Sequence, residues 1–380
     1  MTPASDAGRA VTSGSAGRPL TLLRRSLLSW YASHSRDLPW RRTSDPYAIW
    51  ISEVMLQQTT VAAVRPRWES FLRRFPDLAA LARAPEQRVL AEWSGLGYYA
   101  RARNLHRAAR EIVRRGGFPR TLEELRRLPG VGPYTASAIA SIAFGIPAAV
   151  VDGNVARVLC RVFALRVEPR RPAAERRLQG LADGLIPPER PGAFNQALME
   201  LGATVCLPRT PRCPACPLRR SCAARKLGTP EAFPARSRRK PTRRLHLVAG
   251  LAQRDGKIVL VRDEHVVPGH ISLPMFPVGN GQNPADVLRR RWRRLAAREA
   301  GAVTAAGRLR HTVLDRRYLV DLFLLRESPA SRRGRRQQEE RAKRTRAVVL
   351  VRPADIPGQV RSSLLDKALA LWRASASIAG

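Results

Sequence analysis

Four cysteines, Cys206, Cys213, Cys216 and Cys222, stand in the pattern Cys-x6-Cys-x2-Cys-x5-Cys within a loop of 17 residues. Four thiolates in one loop can wrap a single soft-metal centre, and iron–sulfur cubanes and zinc are the usual guests. A structural zinc loop commonly carries two CxxC pairs, or pairs of Cys and His, around a longer spacer. Here one CxxC is flanked by wide outer gaps and by Pro208, Pro211, Pro214 and Pro217. That pattern fits a 4Fe–4S cluster better, with zinc the alternative. The fifth cysteine, Cys160, lies in an apolar run over 155–164 and reads as a small buried hydrophobe.

Two carboxylates could share acid–base work. Glu53 is a single acid amid Ile49, Trp50, Ile51, Val54, Met55 and Leu56, surroundings that raise a carboxyl pKa by desolvation and let it carry a proton at neutral pH. Asp152 follows the apolar segment 148–151 and precedes Gly153-Asn154, a polar setting that keeps a carboxylate ionised. A protonated acid facing an ionised one is what glycosidic cleavage requires: one protonates the leaving group, the other stabilises or attacks the sugar cation. The plainer alternatives are a helix N-cap for Asp152 and a paired core acid for Glu53.

Residues 128–136, Leu-Pro-Gly-Val-Gly-Pro-Tyr-Thr-Ala, join two helical stretches through Gly130 and Gly132. Such a turn presents backbone N–H groups outward beside a helix N-terminus, a device that binds phosphate without side-chain charge.

The elements that must position these groups divide the chain. From Pro19 to about Arg225 the periodicity is helical, with Asp45-Pro46 as one helix start and Thr121-x-x-Glu124 as a capping box. Residues 226–243 form a basic, proline-containing linker. Beyond it the period becomes two: 245–252 and 257–261 flank Arg254-Asp255-Gly256, a hairpin signal. Further strands are expected at 318–325 and 347–351, a charged low-complexity loop at 328–346 and a closing helix at 362–373. The expected fold class is a mainly α first half followed by an α+β domain. The first 18 residues lack an apolar core for a secretory signal and read as a disordered tail.

Charge points to a partner. The net charge of +38 is nearly all arginine, and an excess of that size self-repels unless an anion is near, nucleic acid being the commonest. A bias toward arginine inflates the figure. Hydrophobic content of 44% can build cores, and no stretch is long and unbroken enough to span a bilayer. Cysteines grouped for metal rather than paired suit a reducing cytosol, and the expected location is the bacterial cytosol, in association with the nucleoid.

In order along the chain, 36–41 (Arg-Asp-Leu-Pro-Trp-Arg), 53–59 (Glu-Val-Met-Leu-Gln-Gln-Thr), 95–105 (Gly-Leu-Gly-Tyr-Tyr-Ala-Arg-Ala-Arg-Asn-Leu), 128–136, 151–155 (Val-Asp-Gly-Asn-Val) and the cysteine loop resemble the adenine DNA glycosylase (MutY-type) family of the endonuclease III, helix-hairpin-helix superfamily. The resemblance implies a helix-hairpin-helix glycosylase domain over 19–225 carrying a 4Fe–4S loop at 206–222. It implies Glu53 as the general acid toward the adenine ring and Asp152 as stabiliser or trap of the sugar cation, with Tyr134 and Asn154 orienting it. Gln58 and Tyr98 resemble residues that wedge into the duplex around a flipped base, since the target bond is unreachable inside the stack. Arg36, Trp40, Arg41, Leu56 and Gln196 would line the adenine pocket, and Gly130 and Gly132 would hold DNA. Tyr134 stands where strand-cleaving relatives carry a lysine, which implies a monofunctional hydrolase acting on adenine opposite 8-oxoguanine or guanine in double-stranded DNA. The expected state is a monomer.

Residues 244–376 resemble the family's Nudix-like lesion-recognition domain through Ser272-Leu-Pro-Met-Phe-Pro277, with Pro274 where the family has Trp. The segment 294–301 is a faint Nudix-box remnant without most magnesium-holding acids. His311-Thr312 is followed by Val313-Leu314-Asp315 where the family reads the lesion with Phe-Ser-His, so excision is better supported than partner selectivity. The alternatives are an endonuclease III-like pyrimidine-lesion glycosylase and an iron–sulfur DNA-binding sensor with weakened catalysis.

Overall fold

The computed structural model describes residues 17–235, 243–262, 271–296, 298–313, 316–328, 348–358 and 363–376. Residues 1–16 of the expected tail, linker residues 236–242, Leu314-Asp315, residues 329–346 of the low-complexity stretch and Ala347 of the expected strand lie outside the described residues. Two compact units divide the chain, residues 1–83 with 104–238 and residues 84–103 with 239–380.

The helices of the first half are α1 (Gly17–His34), α2 (Pro46–Leu56), α3 (Val61–Arg74), α4 (Leu78–Arg83), α5 (Glu86–Glu92), α6 (Ala100–Arg114), α7 (Leu122–Arg126), α8 (Pro133–Phe144), α9 (Gly153–Val162), α10 (Pro172–Leu185), α11 (Pro191–Thr204) and α12 (Ala223–Lys226). Helix α1 takes in Gly17 and Arg18, so the helical part begins two residues before the expected end of the tail.

The caps were legible. Asp45 accepts from the N–H groups of Tyr47 and Ala48, with Pro46 in the first turn of α2. Thr121 Oγ1 accepts from the Glu124 N–H and donates to the Glu124 carboxylate at 2.8 Å. Helix α2 is apolar apart from Ser52 and Glu53, and every residue from Tyr47 to Met55 is buried, as a helix without a polar face must be. A second core joins Leu27 of α1, Val155 and Leu159 of α9, Leu178 of α10, and Phe194 and Leu201 of α11.

In the second unit, β1 (Arg243–Arg254), β2 (Lys257–Arg262), β3 (Ile271–Ser272), β4 (Met275–Pro277), α13 (Pro284–Ala296), β5 (Glu299–Val313), β6 (Arg316–Ser328), β7 (Val348–Val351) and α14 (Ser363–Ala376) build a mixed sheet between helices. The strand order is β3-β2-β1-β6-β5, with β4 paired to β1 and β7 to β2. Strands β1 and β6 run parallel; the other pairs are antiparallel. The expected hairpin turns through Asp255 and Gly256, both at positive φ, which matches the right-handed twist of the flanking strands. Val248 and Ala252 face Leu288 and Trp292 of α13, while Leu247, Ala249 and Leu322 face Leu365 and Leu369 of α14. Gly250 is required here, because a Cβ would stand 2.8 Å from the Trp292 ring. Strand β5 was not foreseen. The segment expected to be a Nudix-box remnant spans the end of α13 and the start of β5.

Candidate active site and cysteine loop

Helices α2, α8, α9 and α11 bring the chemistry together. Glu53 projects from the apolar α2 and is 6% exposed. Its carboxyl is raised to about 7, first by desolvation; a hydrogen bond with Tyr134 lowers it, the charge of Asp152 raises it further, and Arg41 lowers it. Tyr134, in the first turn of α8, is itself pushed well above its ordinary value by burial and by the two carboxylates. Its hydroxyl also meets Met199 Sδ of α11 at 3.0 Å.

Asp152 is the N-cap of α9. Its Oδ1 accepts from the Val155 N–H at 2.7 Å and its Oδ2 from the Asn154 amide at 3.0 Å. The plain reading of Asp152 as a helix cap therefore holds for its side chain, and the same carboxylate also acts electrostatically on Glu53. Asn154 Oδ1 in turn accepts from Arg157 Nη2 at 2.9 Å, whose other donors reach the carbonyls of Gly202 at 2.7 Å and Cys206 at 2.8 Å. Both ends of the Asn154 amide are thus held, which fixes the Asp152 carboxylate.

A second cluster was only half legible. Arg36 grips Glu200 through Nε at 2.7 Å and Nη2 at 2.9 Å, and Arg41 Nη2 reaches the same carboxylate at 2.8 Å. The Glu200 side chain is fully buried; the guanidinium partners hold its pKa down against the cost of burial. The Arg41 guanidinium lies 5.5 Å from the Tyr31 ring centroid, and the Tyr31 hydroxyl donates to Gln196 at 3.2 Å. The expected pocket residues Arg36, Arg41 and Gln196 are thus linked through Glu200 and Tyr31, which the sequence reading missed. An acid at one helical turn from Gln196 on α11 was the available signal. Trp40 is buried edge-on against Trp68 at 6.0 Å, and Leu56, half-buried, ends α2.

Gln58 and Tyr98 each sit at positive φ, 56° and 49°, and both are exposed. Non-glycine residues seldom adopt this conformation, and such strain clusters at functional sites. In the turn between α7 and α8, Gly130 alone is left-handed, at φ 76°, and a Cβ there would stand 2.6 Å from Asn104. Gly132 is the N-cap of α8 with an ordinary extended backbone. A Cβ at Gly132 would meet nothing within 4 Å, so its role in the turn is not conformational, and the open space leaves the backbone approachable.

The four loop cysteines line one small pocket together with Arg161, Arg212, Arg219 and Arg225. Burial, reinforced by the neighbouring thiols, raises Cys213 and Cys222 and pushes Cys216 up to about 12. Metal binding would therefore have to displace protons. Arg161, 2% exposed, donates to Cys206 Sγ at 3.2 Å and to the carbonyls of Leu207, Pro208, Pro230 and Phe233. Soft donors around one cavity, ringed by guanidinium groups, fit an anionic thiolate cluster. Among the described residues no three His, Cys, Asp or Glu side chains converge on a single metal ion. Cys160 is fully buried, its thiol raised to about 11 by desolvation. No described helix is long and apolar enough to cross a membrane.

Comparison with known proteins places this geometry. Residues 51–183 match the model described as "HhH-GPD superfamily base excision DNA repair protein". The chain is 52% identical over 218 residues to the adenine DNA glycosylase of Homo sapiens, covering 54% of this chain and 40% of that protein. It is 39% identical over 201 residues to the adenine DNA glycosylase of Buchnera aphidicola subsp. Baizongia pistaciae, covering 52% and 57%. Among solved structures it resembles a thermostable thymine-DNA glycosylase, with TM-score 0.52 and 30% identity over 56% of this chain and 100% of that one. The matched part thus spans about half the length of the curated relatives. Glu53 and Asp152 both fall inside the residues that match this family, and the chain belongs to the HhH-GPD superfamily of base excision DNA repair proteins.

Proposed function

We propose that this chain is a monofunctional adenine DNA glycosylase, hydrolysing the N-glycosidic bond of adenine opposite 8-oxoguanine or guanine in double-stranded DNA. One observation carries the reading: Glu53 is buried with a carboxyl raised to about 7, beside Tyr134 and in the field of Asp152. A carboxyl poised near neutrality can give up a proton and take one back at the same pH.

Glu53 donates its proton to a ring nitrogen of the flipped adenine. The bond from C1′ to the base breaks, and its electron pair leaves with the neutral base. Asp152, held by Val155 and Asn154, stabilises or traps the sugar cation. Water then adds to C1′ and gives its proton to Glu53, leaving an abasic site. Tyr134 offers no amine for a Schiff base, which supports hydrolysis without strand cleavage. Arg36, Arg41, Trp40, Leu56 and Gln196 shape the base pocket, and the turn at Gly130 and Gly132 meets the DNA backbone through its amides. Cys206, Cys213, Cys216 and Cys222 would hold a 4Fe–4S cluster, which would cross-link the loop and carry no redox step of the hydrolysis. The sheet unit is proposed as a Nudix-like lesion-recognition domain and the protein as a cytoplasmic monomer.

The test is single-turnover release of adenine from a duplex pairing it with 8-oxoguanine. The wild type releases the base, and Asp152→Asn binds the duplex without releasing it. Full activity in that variant, or a covalent DNA adduct trapped by borohydride, would overturn the reading.

A further inference from the structure

The segment between α5 and α6 carries a cation in an expensive place. Arg101 lies in the first turn of α6, which has no acidic residue there, so its charge opposes the helix dipole. Desolvation lowers its pKa to about 10, a second cost for a guanidinium. What it gains is contact. Its Nη2 donates to the carbonyls of Leu96 at 2.9 Å and Gly97 at 3.0 Å. Its guanidinium sits 5.4 Å from the ring of the buried Trp93 and 5.5 Å from the ring of Tyr98. The Trp93 indole N–H closes the unit by donating to the Gly97 carbonyl at 3.2 Å.

Three residues of this short loop are left-handed: Gly95 at φ 90°, Gly97 at 67° and Tyr98 at 49°. The two glycines adopt that conformation freely; the tyrosine does not. Tyr98 nevertheless stands 42% exposed, so burial of its ring cannot hold the backbone there. Arg101 supplies contacts that can: its guanidinium fixes the carbonyls before Tyr98 and stacks on its ring, beside the backbone bond from the Arg101 N–H to the Tyr98 carbonyl at 2.9 Å.

We propose that Arg101 is a positioning residue that presets Tyr98 as a rigid wedge for insertion into a DNA duplex. The inference rests on the adenine-excision reading and deepens it. A preset aromatic loses little freedom on entering the base stack, so it lowers the cost of extruding a paired base. An adenine that is already unpaired does not need the wedge, and that difference separates positioning from general support of the fold.

The experiment compares single-turnover adenine release from two substrates. In one, adenine lies opposite 8-oxoguanine in a continuous duplex; in the other, the same adenine is displayed in a single-stranded bulge. For Arg101→Gln the duplex rate falls about 30-fold, the equivalent of a desolvated cation–π contact, while the bulge rate changes by less than about threefold. Arg101→Lys, which keeps the charge over the rings, recovers part of the duplex rate. Fluorescence of 2-aminopurine beside the target reports slower base opening in the Gln variant. Equal losses on both substrates, or an unchanged duplex rate, overturn the proposal. A wild type that releases adenine from neither substrate overturns the excision reading, and this assignment with it.

Discussion

Gly202 of α11 lies against Asn154 so closely that a Cβ at position 202 would stand 2.7 Å from the Asn154 Cβ and 3.0 Å from its carbonyl oxygen. The close approach lets the Gly202 carbonyl accept from Arg157, which holds the Asn154 amide that orients Asp152.

Gly202→Ala therefore acts, through Asn154, on the Asp152 carboxylate. Inside a helix such a change ordinarily gains about 1 kcal/mol, but overpacking against backbone costs about 1–3 kcal/mol. The net expectation is a loss of stability in denaturant titrations together with a slower release of base. A more stable, fully active variant would show that the contact does not position Asp152.

Glu53 sets a pH limit. In its proposed role as general acid it must be protonated, so the rate of base release should fall about tenfold per pH unit above its pKa, which lies at about 7. The same shift has a stability consequence. A carboxyl raised from 4.5 to about 7 keeps its stabilising proton in the native state, so stability is full below pH 4.5 and declines as pH rises to about 7. The loss amounts to about 3 kcal/mol. Glu53→Gln should be inactive and, above pH 7, more stable than the wild type by about that amount. Equal stability of the two proteins at pH 8 would contradict the raised pKa.

Glu200→Gln removes the buried negative charge shared by Arg36 and Arg41. Deleting one partner of a fully buried pair costs about 3–5 kcal/mol; here the cost is smaller, because the Arg36 side chain left behind is 41% exposed and solvent screens it. The charge of Arg41, which lowers the Glu53 pKa, is then no longer offset. The alkaline limb of the rate profile should move toward acid, an effect that unfolding alone does not produce.

For the cysteine loop, iron content and visible absorbance decide. Cys213→Ser should lose bound iron and shed its absorbance faster to a chelator. Cys160→Ala, in the apolar core, should retain both. Stoichiometric zinc without iron in the wild type would replace the cluster by the alternative metal.

Much of this was legible because it is local. Asp45 and Thr121 cap their helices from within a turn, and Asp255-Gly256 imposes its own hairpin. Glu53 stood out as one acid in an apolar helix. Glu200 did not, because its meaning comes from Arg36 and Arg41, more than 150 residues away in sequence. Strand β5 escaped for a similar reason. Its run of Ala and Gly gives little alternation, and it becomes a strand through pairing with β6 across irregularities near Gly307. The left-handed backbone at Gln58 and Tyr98 had no sequence signal, since neither residue type favours it.

The parallel pairing of β1 with β6 has a consequence for biosynthesis. Parallel neighbours cannot be joined by a tight turn, and β2 through β5 are made between these two. At ribosomal speeds β1 waits on the order of ten seconds for its partner, its apolar edge open to other nascent chains. Arg243 and Arg244 at its start, opposite Arg316 and Arg317, are gatekeepers of the kind that discourage such premature pairing.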